Sequence, residues 1–68
     1  MKPLTAKEVE ECLKKHGFML MRSRGSHFGW LNPVTGAAVV VPHHGNRAIP
    51  QGTLIAIFKG AGIPRPQR

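Results

Sequence analysis

Acidic residues are almost missing from this chain. Of its 68 residues only Glu8, Glu10 and Glu11 are acids, and there is no aspartate. Beyond position 16 the chain carries Arg22, Arg24, Arg47, Lys59, Arg65 and Arg68 against no carboxylate at all. A serine hydrolase triad therefore has no acid to complete it, which sets Ser26 aside as a nucleophile. Cysteine is nearly absent too: Cys12 stands alone, which excludes an internal disulfide and a disulfide-stapled secreted miniprotein. No apolar run approaches the about 20 residues of a membrane span. The start, Met1-Lys2-Pro3-Leu4-Thr5-Ala6-Lys7-Glu8, has no apolar signal core, so a cytoplasmic protein with no membrane partner is expected.

What is present is positive charge. The formal net charge is +7 and the isoelectric point about 11.0, which suits an acidic partner. A histidine, His27, follows Arg24-Gly25-Ser26 at the exit of a tight turn inside the acid-free region. Histidine carries protons near neutral pH, and uncompensated cations around it favour a polyanion, RNA foremost.

The length allows one domain, and a chain so short buries only about 60% of its unfolded surface. Thr5 and Glu8 have the spacing of a capping box, with Leu4 placed to staple onto Val9. Val9, Cys12, Leu13 and His16 recur at helical spacing, lysines fill the last turn, and Gly17 offers a left-handed stop. Three short strands are predicted next: Phe18 to Arg22, a turn over Ser23–Ser26, His27 to Leu31, a turn over Asn32–Gly36, and Ala38 to Val41, stopped by Pro42. In the second, Phe28 and Trp30 face one way, under the helices, and His27 the other. His43 to Ile49 reads as an irregular loop. Pro50 fits the first turn of a second helix whose stripe is Leu54, Ile57, Phe58 and Ala61, ended by Gly62-Ile63-Pro64. Gly52 and Gly60 weaken that helix, so it depends on packing against the sheet. The expected fold is α+β in the order α-β-β-β-α: a three-stranded antiparallel sheet with two helices packed on one face. One domain over residues 1–63 and a disordered basic tail over 64–68 complete the organisation.

These pieces together resemble the HicA-type toxins, mRNA interferases of bacterial toxin–antitoxin pairs. The matching stretches are His16-Gly17-Phe18, Gly25-Ser26-His27, Asn32-Pro33 with Gly36, Val41-Pro42 with His44, Gly52-Thr53-Leu54 and Ala61-Gly62-Ile63. The resemblance runs from about Thr5 to Ile63. It implies a double-stranded-RNA-binding-domain-like fold, cleavage of RNA without a metal or other cofactor, His27 as the catalytic residue, and a HicB-type antitoxin as partner. One departure lies before the second helix, where the family commonly carries an acid and this chain reads Arg47-Ala48-Ile49.

The residues suit that chemistry. RNA brings its own nucleophile, the 2′-hydroxyl, so a base and phosphate-binding cations suffice; histidine supplies the base. Arg22, Arg24 and Arg47 are placed to hold phosphate, and Gly25 and Ser26 let a phosphodiester approach the turn. His44 is a candidate proton donor or RNA contact. His43, His44 and Cys12 lack the spacing of a metal site, so none is expected. The competing readings are a small RNA-binding module that does not cut, and a protein-interaction domain whose charge is incidental.

Overall fold

The computed structural model describes residues 2–65. Its elements are α1 (Ala6–Lys15), β1 (Met19–Arg24), β2 (His27–Leu31), β3 (Ala38–Pro42) and α2 (Gln51–Ala61). The strands form one antiparallel sheet in the order β1-β2-β3, which is the expected α+β arrangement. The expected basic tail falls mostly on residues 66–68, which lie outside the described residues.

Each helix is delimited by short-range chemistry. The Thr5 N–H donates to Glu8 Oε1 at 2.9 Å and the Glu8 N–H donates to Thr5 Oγ1 at 3.3 Å, closing the capping box. At the other end Gly17 takes φ 88°, the Phe18 N–H returns to the Leu13 carbonyl and the Gly17 N–H to that of Lys14. That pair of bonds is a Schellman stop. The second helix ends the same way, with the Ile63 N–H on Phe58 and the Gly62 N–H on Lys59. Pro50 proves to be the cap of α2 rather than part of its first turn, and its carbonyl receives the Leu54 N–H at 2.9 Å.

The core lies between the helices and one face of the sheet. Val9 and Leu13 from α1, Leu54, Ile57, Phe58 and Ala61 from α2, and Trp30 and Val41 from the strands are buried in one cluster, joined by Leu4, Phe18 and Ile49. Phe28 pairs with Val41 and Trp30 with Val39, so these four share the covered face. The absence of a side chain at Gly60 admits Val39: a Cβ there would meet its Cγ1 at 3.3 Å.

Three further expectations need correcting. The first strand runs on to Arg24, because Ser23 and Arg24 pair with Phe28 and His27, and the turn shrinks to Gly25-Ser26. Gly25, at φ 58° in the first central position, has the left-handed backbone this two-residue hairpin requires. The third strand includes Pro42, opposite His27; β3 is an edge strand, where a missing N–H is tolerated. The loop from His43 to Ile49 is irregular, as expected, and is tied down where Ala48 bridges to Thr5 and the Ile49 N–H donates to the Leu4 carbonyl at 2.8 Å. Finally, His16 caps α1 in an exposed position with Nδ1 3.0 Å from the Cys12 carbonyl, while the helix buries Ala6, Val9 and Leu13.

Asn32 ties α1 to the second hairpin. It is buried; its Nδ2 donates to the His16 carbonyl at 3.0 Å, and its Oδ1 accepts the Val34 and Thr35 N–H groups at 2.8 and 3.3 Å. Asn32→Ala removes both connections and is expected to cost about 1–3 kcal/mol in a denaturant titration. Glu8 supplies a pH dependence. The Thr5 backbone N–H, helped by the Thr5 hydroxyl and Lys2, holds its carboxyl below its ordinary value. A depressed carboxyl stabilises the fold above its unfolded-state pKa and loses that contribution as pH falls through its folded-state value. The stability difference between the natural chain and Glu8→Gln should therefore be greatest near neutral pH and close on acidification; a difference independent of pH would show that the cap's charge does not matter.

Candidate functional site

The sheet has one covered face and one bare face, and the pairing decides which residues reach the bare one. Arg24 pairs with His27, which pairs in turn with Pro42; Arg22 pairs with Gly29, which pairs with Val40; Met19 pairs with Leu31. His27, Gly29 and Leu31 alternate with the covered Phe28 and Trp30, so these three rows lie on the open side.

The β1 register makes this possible. Met19 opposes Leu31 and Leu20 opposes Trp30, but the next pair is Arg22 with Gly29, so Met21 is an extra residue, a β-bulge. Strict alternation from Leu20 would have turned Arg22 and Arg24 toward the covered side. The bulge resets the phase and sets both arginines on the face of His27. Directly opposed side chains have Cβ atoms about 5 Å apart and diagonal ones about 7–8 Å, which places Arg24 beside His27 and Arg22 one diagonal away. Arg22, Arg24 and His27 are exposed, and Ser26 is half-buried. The two ion pairs among the described residues use Lys14 and His43, so neither arginine is neutralised by a carboxylate.

The turn at this corner is held from beneath. The His43 N–H donates to the Ser26 carbonyl at 2.6 Å. The His43 ring packs on Phe28, with centroids 4.7 Å apart, and its Nε2 lies 3.1 Å from Glu10 Oε1. Glu10 Oε2 accepts the Trp30 indole N–H at 3.0 Å. The Glu10 side chain is only 12% exposed, and both its oxygens are engaged on the covered side. A carboxylate only accepts, so His43 presents a protonated Nε2 to it.

Of the residues singled out from the sequence, Arg22, Arg24, Gly25, Ser26 and His27 come together on the first hairpin. His44 is exposed and follows His43, next to the same corner. Arg47 does not join them by any pairing: its N–H closes a turn onto the His44 carbonyl at 3.2 Å, and the chain then leaves for Thr5. Lys14, Lys15 and Lys59 are exposed, a solvated set of cations. Among the described residues no three histidine, cysteine or acidic side chains gather as metal ligands. Sequence reasoning missed Glu10 and His43. Glu10 left a signal, because Ala6, Val9, Glu10 and Leu13 follow the i, i+3, i+4, i+7 spacing of a buried helix face.

A proton carrier flanked by uncompensated guanidinium groups on an open surface can bind a phosphodiester and move a proton at it. The family model described as HicA toxin of bacterial toxin–antitoxin matches residues 6–63, which include both helices and all three strands. Comparison with curated proteins gives no match.

The two sides of the corner should respond differently to mutation. Glu10→Ala leaves the buried indole N–H without its acceptor and is expected to cost about 1–3 kcal/mol. His27→Ala, on the exposed side, should stay within about 0.5 kcal/mol. Urea unfolding of both variants checks the contrast; a large loss for His27→Ala would mean that this ring holds the fold.

Proposed function

This chain belongs to the HicA toxin family of bacterial toxin–antitoxin systems, and from that premise we propose that it is an endoribonuclease that cuts mRNA without a metal, with His27 as general base. The observation that carries this reading is the shared open face of Arg22, Arg24 and His27, produced by the bulge at Met21.

The chemistry follows from what RNA supplies. The His27 imidazole takes the proton of a 2′-hydroxyl, the 2′-oxygen attacks the adjacent phosphorus, and the bond to the 5′-oxygen breaks. The departing oxygen takes up a proton from water or from the exposed His44 ring. The products are a 2′,3′-cyclic phosphate and a 5′-hydroxyl end. Arg24 and Arg22 hold the phosphate and stabilise the charge that builds on it. Gly25 and Ser26 leave the turn low enough for the backbone to approach. His44, next to the same corner, is a further RNA contact, and Arg47 adds positive charge on the loop without joining the hairpin cluster.

The natural partner in this reading is a HicB-type antitoxin that covers the open face, and the site of action is the cytoplasm, where mRNA is found. Positive charge without nearby acids favours an acidic covering surface.

The test is cleavage of an unstructured RNA and its DNA equivalent in EDTA. The natural chain should cut only the RNA, and His27→Ala should be slower by about 10²–10⁴-fold, the range of general acid–base catalysis. Arg24→Ala should weaken binding to all sequences alike and lower the salt slope by about one. If neither the natural chain nor His27→Ala cuts but both bind RNA, the protein is an RNA-binding module and His27 is a surface histidine. If neither binds, the charge is incidental to an interaction with protein.

A further inference from the structure

The open face holds more than the charged row. Beside it lies a shallow basin of about 430 Å³, lined by Met21, Arg22, Gly29, Leu31, Ala38 and Val40, with Trp30 and Val39 between them. We infer that this basin takes one unpaired nucleobase of the RNA whose phosphate lies on Arg24 and His27. The inference rests on the reading of the site as an RNA-cleaving one and adds a base-binding subsite to it.

Three features of the basin point to a base. Its floor is flat because Gly29 has no side chain and Ala38 has a small one, whereas Met21 and Val40 stand up at either side. Met21 and Val40 are 59% and 56% exposed although both are apolar. The second feature is Arg22: a Cβ on Gly29 would lie 3.2 Å from its Cγ and 3.9 Å from its Cδ, so the aliphatic stem of Arg22 lies over the glycine and forms part of the floor. An arginine plane and a polarisable thioether are both good partners for an aromatic ring system.

The third feature is the spacing. Gly29 and His27 are two residues apart along β2, about 6–7 Å at the rise of a strand. That is the scale separating a base from its own sugar–phosphate. A base laid on the Arg22 stem above Gly29 brings its ribose and phosphate to the row of His27 and Arg24. An apolar surface bordered on one side by cations at this distance matches a nucleotide, apolar at the base and anionic at the phosphate. An apolar side chain from an acidic protein offers no reason for the flat floor. Trp30 borders the basin but is only 5% exposed, so base contact here relies on methionine, valine and arginine instead.

The experiment measures binding in the His27→Ala background, which prevents turnover. Two probes are compared by fluorescence anisotropy at one salt concentration: a single-stranded RNA oligomer, and a ribose–phosphate chain of equal length and charge without bases. The RNA should bind at least about 5-fold more tightly, the lower end of one stacked base. Gly29→Leu, which fills the floor, and Val40→Ser, which removes an exposed apolar wall without disturbing the core, should each bring that ratio toward one. Equal binding of the two probes, or a ratio unchanged in both variants, would overturn the inference. So would equal binding of the probes together with loss of an acidic antitoxin's affinity in the variants, which would give the basin to a protein. Cleavage by the natural chain separates the two levels. Cutting with a probe ratio of one removes the basin and keeps the nuclease; a high ratio without cutting keeps the basin and removes the nuclease.

Discussion

Glu10 is the one acid of this chain turned inward, with one oxygen taken by β2 and the other by the residue that follows β3. The indole of Trp30 in β2 holds one and the ring of His43, just past β3, holds the other. Burying a carboxylate is unfavourable unless its hydrogen bonds are replaced, so these contacts permit the helix to lie where it does. They also fix the position of His43, whose backbone N–H holds the Ser26 carbonyl. The path from the core to the exposed histidine is therefore short: Glu10, His43, Ser26, His27. The same carboxylate that seats α1 on the sheet steadies the turn that presents His27.

The second constraint is scarcity of apolar cover. A chain of this size has enough apolar residues for one face of a three-stranded sheet. Trp30, Phe28, Val39 and Val41 commit that face to the helices, and the other stays open. In a chain with acids spread along it, an open face would be of mixed charge. Here no side-chain carboxylate follows Glu11, and the bare side carries Arg22 and Arg24 with His27 in phase beside them. Composition and topology thus act together, and neither alone would make a site.

Much of the fold was legible because it is written locally. The capping box at Thr5 and Glu8, the two Schellman stops and the alternation of His27 to Leu31 depend on residues within a few positions of one another, and each appears where the spacing placed it. The features that escaped are those settled by distant partners. Met-Leu-Met-Arg has no alternation from which a bulge could be read, so the length of β1 and the facing of its arginines are set by the pairing with β2. Glu10 falls at the spacing of the buried helix face, but its partners lie 20 and 33 residues away, so nothing local names them. The bridge of Ala48 to Thr5 is equally non-local. Of the two adjacent histidines, the pleat continuing past Pro42 sends His43 under the sheet and leaves His44 exposed.

The bulge has a further role in protein integrity. The first strand is an edge, and Met19, Leu20 and Met21 are all exposed on it. A flat apolar edge invites pairing with another chain, and proteins prevent this with bulges and with charged side chains. Both devices are present in six residues: the bulge at Met21, and Arg22 and Arg24 immediately after it. Those same features put both arginines on the face of His27. An acid in place of either arginine would guard the edge equally well but would repel phosphate. A regular strand would keep the arginines but turn them toward the helices. The stretch Met19–Arg24 therefore meets two demands with one solution, which explains why the least buried strand of the sheet is also the one that shapes the open face.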